Sequence, residues 1–143
     1  MAEEIITQIP GYDNGTVWYL EGIDEINALF QIGQMATEIL NKYNTNVAVI
    51  SATCRSAAIQ DLIKNESGVA KLYTVNQKNQ NLQVILRKIK GMINRKFVRV
   101  IFIEGLPEQD AVGKRWLEQL AKSTNTAFVV IEIHDEEAEL SLD

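Results

Sequence analysis

The sequence has few of the residues that crosslink a fold or bind metals. Cys54 is the only cysteine among 143 residues, which excludes an internal disulfide. The only histidine is His134, so a zinc site built from several cysteines and histidines is also excluded. The sequence therefore predicts no metal site, and we expect no cofactor.

Long apolar runs are also absent. No run approaches the roughly 18 residues that a membrane-spanning helix needs. Residues 1–4 contain two glutamates, where a secretory signal would be basic. We therefore expect a cytoplasmic protein without a membrane partner, and the net charge of -5 argues against broad binding of nucleic acids.

The chain does contain enough apolar side chains for a core. Hydrophobic residues make up 46% and charged residues 23% of the sequence, which is typical of a globular domain. There is no internal repeat, low-complexity tract or linker-like stretch before an acidic tail that starts at about residue 135. These features predict one domain over residues 1–143.

Short apolar runs alternate with segments of helical period. The runs predict strands at residues 17–20, 47–50, 71–75, 98–103 and 127–133. Apolar spacings of three and four predict helices at residues 24–43 and 56–64, a third that Asn81 caps, and a fourth that Pro107 opens. This alternation predicts an α/β three-layer sandwich, with a five-stranded, mostly parallel sheet and helices on both faces.

Ligands of such sheets bind at the carboxyl ends of the strands. In this chain those ends are at Gly22, at residues 51–54, 76–78 and 104–106, and at His134. We expect any functional site there.

The first predicted strand, the glycine after it and the following helix have the layout of a phosphate-binding loop, G-x-x-x-x-G-K-[ST]. Gly22 occupies the first glycine, but the last three positions are Asn27, Ala28 and Leu29. These three lack the flexible backbone, the ammonium group and the hydroxyl that hold phosphate and magnesium. The sequence therefore predicts a degenerate phosphate loop.

Three acidic residues crowd the same turn. Glu21, Asp24 and Glu25 would repel a triphosphate from the positive end of the helix. Asp24 suits a helix N-cap and Glu25 complements the helix dipole, so both have a structural role without any ligand.

Several segments resemble, in order and spacing, the motor domain of DnaB-type replicative helicases within the RecA-like ATPases. They are residues 9–13, 17–20, 47–54, 100–106 and 120–130, and the resemblance covers residues 5–134. It implies that the first strand lies beside the fifth and the fifth beside the fourth. A flavodoxin-like order, with the first strand beside the second and third, is the alternative.

The resemblance also assigns positions to the residues of an ATPase site. The lysine and threonine of the phosphate loop fall on Ala28 and Leu29, and the glutamate that polarises the attacking water falls on Thr53. Glu104 occupies the place of the Walker B acid, and His134 that of a polar sensor. Because Ala28 and Thr53 stand at the lysine and glutamate positions, the resemblance implies a domain that is not an enzyme. The DNA-contacting loops and the arginine that follow in the family have no counterpart in the sequence up to Asp143.

Two other polar groups have simpler interpretations than catalysis. His134 and Asp135 are adjacent on a predicted strand and would point to opposite faces, which suits a polar strand end better than an acid/base pair. Cys54 beside Arg55 would be reactive if its pKa were depressed, but an inert, half-buried thiol is the default.

Basic residues cluster in the stretch 87–99, where they would contact DNA or an acidic protein, although a solvated helix face is the simpler interpretation. They are Arg87, Lys88, Lys90, Arg95, Lys96 and Arg99.

Three functions follow from these patterns. The favoured one is a non-catalytic RecA/DnaB-like domain that binds another copy of itself, or a RecA-like ATPase or helicase, in DNA replication of its host or a mobile element. The second is a nucleic-acid-associated accessory factor that uses residues 87–99. The third is a small enzyme on an unrelated doubly wound fold, with Glu104, His134 and Thr53 as its polar groups.

The aromatic residues bear on the first function. The simpler interpretation is that most of them are core residues, but they are more than the predicted faces obviously need to bury. We expect a homo- or hetero-oligomer that uses the side surfaces of the sheet, with aromatic contacts drawn from Trp18, Tyr19, Tyr43, Phe97 and Trp116.

Overall fold

The computed structural model describes residues 15–20, 25–78, 81–106 and 109–132. Its strands are β1 (Val17–Leu20), β2 (Val47–Ser51), β3 (Leu72–Asn76), β4 (Val100–Leu106) and β5 (Ala127–Glu132). Its helices are α1 (Glu25–Lys42), α2 (Ser56–Leu62), α3 (Leu82–Lys96) and α4 (Ala111–Thr124).

The strands form one sheet in the order β1-β5-β4-β2-β3. Every neighbouring pair is parallel, so the sheet is wholly rather than mostly parallel. Because β1 lies beside β5 and β5 beside β4, the predicted order is confirmed and the flavodoxin-like order is wrong. The three-layer α/β sandwich of RecA-like type is confirmed with it.

Helices cover both faces of the sheet because alternate strand residues point to opposite sides. α1 and α2 pack on one face, and the buried residues there include Ile32, Ile39, Ile59, Val49, Phe102 and Val129. α3 and α4 pack on the other face, with a core that includes Ile85, Ile89, Leu117, Ile50, Ile103 and Val130. In the described ranges, no helix is both long and apolar enough to cross a membrane.

Side-chain caps fix where α3 and α4 begin. The Asn81 side chain accepts a hydrogen bond from the Gln83 backbone N–H at 2.9 Å, as predicted. The prediction that Pro107 opens the last helix is wrong, since α4 begins at Ala111 and Asp110 accepts from the Gly113 N–H at 2.8 Å. An aspartate satisfies a free helix amide, which a proline does not. Pro107 itself lies outside the described residues.

β4 also differs from its predicted span of residues 98–103. Phe97 adopts a left-handed backbone (φ 53°) after α3, and the strand starts only at Val100. At its other end β4 continues through Gly105 (φ 90°) to Leu106, with an irregularity in its pairing with β5. Glycine adopts this conformation without steric cost, so the strand continues beyond residue 103, where its apolar pattern predicted that it would end.

Candidate functional site

The carboxyl ends of β2 and β4 meet at Ser51 and Glu104, which are partners in the sheet register. Glu104 is 4% exposed. The Ser51 hydroxyl donates to Glu104 Oε2 at 2.6 Å. The Thr53 hydroxyl lies 2.8 Å from Oε1 and 2.7 Å from Oε2. Two hydroxyl groups therefore hold one buried carboxylate in a fixed orientation.

Backbone amides tie the same edge to the start of α2. The Arg55 N–H donates to Ser51 Oγ at 2.8 Å, and the Ser56 N–H donates to Asn76 Oδ1 at 2.9 Å. The Gln77 N–H donates to the Ser51 carbonyl at 2.8 Å. Side chains at the ends of β2 and β3 thus satisfy amides that a helix N-terminus leaves free. The predicted segments 51–54, 76–78 and 104–106 do come together.

The candidate phosphate loop reaches the described residues only at its helical end. In α1, Asn27 is exposed, Ala28 is 4% exposed within the core, and Leu29 packs partly against that core. A lysine at position 28 would point its ammonium into apolar surroundings rather than towards a phosphate. Gly22, Glu21 and Asp24 lie outside the described residues, and Glu25 is the first residue of α1.

The chemistry open to the Glu104 cluster is limited. Thr53 has no basic group, and its hydroxyl proton is directed at Glu104, so it cannot activate a water molecule. Within the part of the chain that the structure describes, no group of three or more histidine, cysteine or acidic residues could hold a metal ion. His134 and Asp135, the remaining candidates for acid/base chemistry, lie outside the described residues.

Sequence reasoning identified Thr53 and Glu104 but missed that they contact each other through a network that includes Ser51. A signal was present, because residues 51 and 53 are two apart and follow the same strand. The contact depends on which residue of β4 lies level with Ser51, and this register is set by tertiary packing.

Cys54 is exposed, whereas the sequence favoured a half-buried thiol. It lies in the turn between β2 and α2 with a left-handed backbone (φ 60°), which turns its side chain away from the core. The Cys54 N–H donates to the Ser51 carbonyl at 3.4 Å, so its backbone helps to close the turn.

The basic residues of α3 are exposed, and α4 contains further basic residues. α3 contains no acidic residue, and α4 contains one, Glu118. The sequence analysis identified the residues on α3 but missed the contribution of α4, although its helical period was visible. The basic residues of the two helices are Arg87, Lys88, Lys90, Arg95, Lys96, Lys114, Arg115 and Lys122.

A groove of about 560 Å³ separates α3 from α4 on the outer surface of this layer. We call it the α3–α4 groove. It combines apolar, amide, hydroxyl and cationic side chains, and it is lined by Gln83, Leu86, Arg87, Lys90, Trp116, Gln119, Leu120 and Ser123.

Three of the five aromatic side chains proposed as contacts are largely exposed. Trp18 is 49%, Phe97 73% and Trp116 38% exposed, whereas Tyr43 and Tyr19 pack partly against the two cores. An apolar stripe at the start of α1 was missed. Ile26 fits the apolar spacing that predicted this helix, but it is 67% exposed, and Phe30, one turn later, is 57% exposed.

The Tyr19 hydroxyl is buried between β1 and α4 and has no hydrogen-bond partner among the described residues. Its burial, reinforced by the carboxylates of Glu118 and Glu132, raises the pKa of Tyr19 from 10.0 to about 12. Lys114 lies above its ring, with the ammonium nitrogen 5.1 Å from the ring centre. This group bears on stability rather than on chemistry.

Comparison with models of known protein families found no match to this chain, and comparison with curated protein sequences found none either.

Proposed function

We propose that this chain is a non-catalytic RecA-like domain that acts through contacts with other proteins. The proposal rests on the residues that occupy the two positions most important for ATP hydrolysis, and on what these residues contact. Ala28, in place of the phosphate-binding lysine, is packed in the core, and Thr53, in place of the catalytic glutamate, donates its hydroxyl proton to Glu104. At these two positions of the described chain, the side chains can neither bind phosphate nor activate water.

The surface that we assign to protein contacts lies at β1 and the start of α1. Among the described strands, β1 is at the edge of the sheet, with β5 as its neighbour. Trp18 alternates with Val17 and Tyr19, which pack towards α4, so its side chain lies on the α1 side of the sheet.

Ile26 and Phe30 extend this surface along α1. They belong to the stripe of the helix that α2 covers one turn later, where Gly33 lies against Leu62. α2 does not reach the first turns of α1, so the stripe remains exposed there. Large exposed apolar side chains of this kind mark interaction sites.

The two edges of the sheet differ in charge. Exposed lysines, Lys71 and Lys78, flank β3, and lysines at an edge strand discourage pairing with another chain. Residues 16–20, in contrast, contain no charged residue. This difference favours β1 as the edge that a partner contacts.

RecA-like domains associate side by side in rings, so we propose two kinds of partner. One is a second copy of this chain, and the other is a RecA-like ATPase or helicase of DNA replication in the host or a mobile element. In both cases the contact uses the side surface at β1 and not the degenerate phosphate loop.

Light scattering at micromolar concentration, followed by pull-down from the native cell, tests this proposal. We expect a homodimer, or capture of an ATPase, helicase or replication protein. Ile26→Lys combined with Phe30→Lys should abolish either association, because both side chains are exposed and a buried, unpaired ammonium is costly at an interface.

Val69→Lys is the matched control, since Val69 is 74% exposed and lies before β3, at the other edge of the sheet. It should leave association unchanged. A strict monomer that captures none of these proteins would contradict the proposal, and so would association that survives the double substitution.

A further inference from the structure

The α3–α4 groove has an apolar floor and a cationic rim. Leu120 is 6% exposed and Trp116 is 38% exposed, and together with Leu86 they offer apolar surface to an entering side chain. Arg87 and Lys90 stand on the α3 side of the same groove. This combination suits a ligand that has both apolar side chains and negative charge.

Arg87 and Lys90 have no acidic partner within 4.0 Å among the described residues. Neighbouring residues of both helices add positive charge, and Glu118 is the one acidic residue of α3 and α4. The groove therefore carries a positive potential on a chain whose net charge is -5. A negatively charged ligand would be attracted to it.

The nature of the lining separates two anionic ligands, a peptide and a nucleic acid. Single-stranded nucleic acid is usually held by a series of aromatic faces on which successive bases stack. This groove has one aromatic residue, Trp116, and two leucines, and leucine offers no flat surface for a base. Gln119 supplies an amide that can bond to a peptide backbone. The lining therefore fits a peptide better.

We propose that the α3–α4 groove binds an acidic peptide segment that carries leucine side chains, with the leucines against Leu86, Trp116 and Leu120 and the carboxylates beside Arg87 and Lys90. The sequence of this chain contains a segment with that chemistry. Residues 135–143 include Asp135, Glu136, Glu137, Glu139 and Asp143 together with Leu140 and Leu142. Their sequence supplies a probe.

This surface is distinct from the one assigned to protein contacts above. The groove lies on the α3 and α4 side of the sheet, whereas Ile26 and Phe30 lie on the α1 side. Binding to the groove can therefore be measured whether or not the chain associates through β1.

The experiment measures the fluorescence of Trp116 during titration with a synthetic peptide of residues 134–143. The protein is the full chain with Trp18→Phe, which leaves one tryptophan. Asp and Glu side chains of residues 135–143 are replaced by their amides, so that the protein does not compete with the probe. We expect saturable quenching or a shift of Trp116 emission, weaker at high salt because the contacts are exposed ion pairs.

Arg87→Glu combined with Lys90→Glu should weaken binding of the peptide about tenfold. The double variant loses two exposed ion pairs and replaces them with two repulsive pairs. Lys64→Glu combined with Lys71→Glu is the control, because it changes the net charge equally at exposed positions outside the groove. It should change affinity less than twofold. If the charge-reversed variant does not fold, Arg87→Gln combined with Lys90→Gln replaces it in the test. This neutral variant should also bind the peptide more weakly than the wild type.

Peptide chemistry provides the second control. A probe with amides in place of its acidic side chains, or with alanine in place of Leu140 and Leu142, should bind at least about fivefold more weakly. Equal binding of these probes, equal effects of the two charge-reversed pairs, or no response of Trp116 would overturn the inference. Binding of an oligothymidine in preference to the peptide would overturn it in favour of nucleic acid.

Discussion

At the scale of single residues, three side chains determine the chemistry available at the carboxyl edge of the sheet. Glu104 provides an acidic side chain at the end of β4, and Ser51 and Thr53 direct their hydroxyl groups at it. In an ATPase of the fold that the sequence resembles, a glutamate would stand at position 53 and orient water. Thr53 instead donates a hydrogen bond to the neighbouring Glu104.

We predict that Thr53→Val lowers the free energy of unfolding by about 1–3 kcal/mol, because it removes a hydrogen bond to a buried charged group. Thr53→Ser keeps the hydroxyl and should cost less than about 1 kcal/mol. Urea denaturation measures both values. A loss for Thr53→Val that is no larger than the loss for Thr53→Ser would contradict a stabilising role of the hydroxyl, since valine keeps the shape of threonine and serine keeps its hydroxyl.

The packing of Ala28 predicts that the missing lysine cannot be restored. Ala28→Lys should lower the free energy of unfolding by about 3 kcal/mol, since it places an unpaired ammonium in the core beside α1. It should not create affinity for ATP. Gln31→Lys, on the exposed side of the same helix, should stay within about 0.5 kcal/mol of the wild type.

Denaturation of the two variants and nucleotide titration of Ala28→Lys are the measurements. A folded Ala28→Lys variant that binds ATP would contradict the assignment of this residue to the core.

Tyr19 predicts a dependence of stability on alkaline pH. Its folded-state pKa of about 12 lies above the ordinary 10.0, so the folded chain keeps a proton that the unfolded chain has lost between these values. The stability that Tyr19 contributes is therefore complete below pH 10 and declines as the pH rises from 10 towards 12.

Tyr19→Phe removes this titration together with the hydroxyl. Near neutral pH, the free energy of unfolding of this variant should equal that of the wild type or exceed it by up to about 1 kcal/mol, because the hydroxyl has no partner among the described residues. Its advantage should grow between pH 10 and 12. Chemical denaturation of both proteins from pH 10 to 12 measures this effect. A difference in free energy of unfolding that does not change with pH would contradict the prediction.

At the scale of elements, the close approach of α1 and α2 depends on Gly33. A Cβ atom added there would lie 2.8 Å from the Leu62 Cβ and 3.2 Å from the Leu62 carbonyl oxygen. Gly33→Ala should therefore destabilise the fold by about 1–3 kcal/mol through overpacking.

Gly91 is the matched control within α3, since an added Cβ would meet no atom within 4 Å. Gly91→Ala should stabilise by about 0.5–1 kcal/mol, because alanine loses less conformational freedom in a helix. Thermal unfolding compares the two. If both alanine substitutions shift the midpoint in the same direction, the tight contact between α1 and α2 is not a determinant of stability.

The elements themselves were largely predictable, and the reasons are local. β-branched runs such as that of β2 and apolar spacing such as that of α3 need no tertiary information. The start of α4 was predicted incorrectly because Pro107 and Asp110 are both good starting signals, and the sequence does not show which is used. The end of β4 was missed because Gly105 extends the strand through a conformation that no periodicity reports.

The sequence predicted where the candidate site lies but not the contacts between its side chains. The carboxyl ends of the strands were expected to converge, and those in the described residues do. The contacts of Ser51 and Thr53 with Glu104 depend on the register of β2 with β4, and the exposure of Ile26 and Phe30 depends on how far α2 reaches along α1. Both are properties of packing between elements that are distant in sequence.

At the scale of the whole molecule, charge is distributed unevenly. The layer of α3 and α4 is basic, and the chain as a whole is acidic. Large exposed apolar side chains occur on both sides of the sheet. Trp18, Ile26 and Phe30 lie at β1 and the start of α1, and Phe97, Val112 and Trp116 lie at the end of α3 and on α4.

The central claim is that this RecA-like fold neither binds nor hydrolyses ATP. Titration with magnesium and ATP in a calorimeter, combined with a phosphate-release assay on the same sample, tests it most directly. We predict no saturable binding at micromolar nucleotide and phosphate release at the level of buffer alone, because Ala28, Leu29 and Thr53 fall where the resemblance assigns the phosphate-binding lysine, the magnesium-binding hydroxyl and the water-activating glutamate. Micromolar affinity, or turnover above that background, would contradict the account.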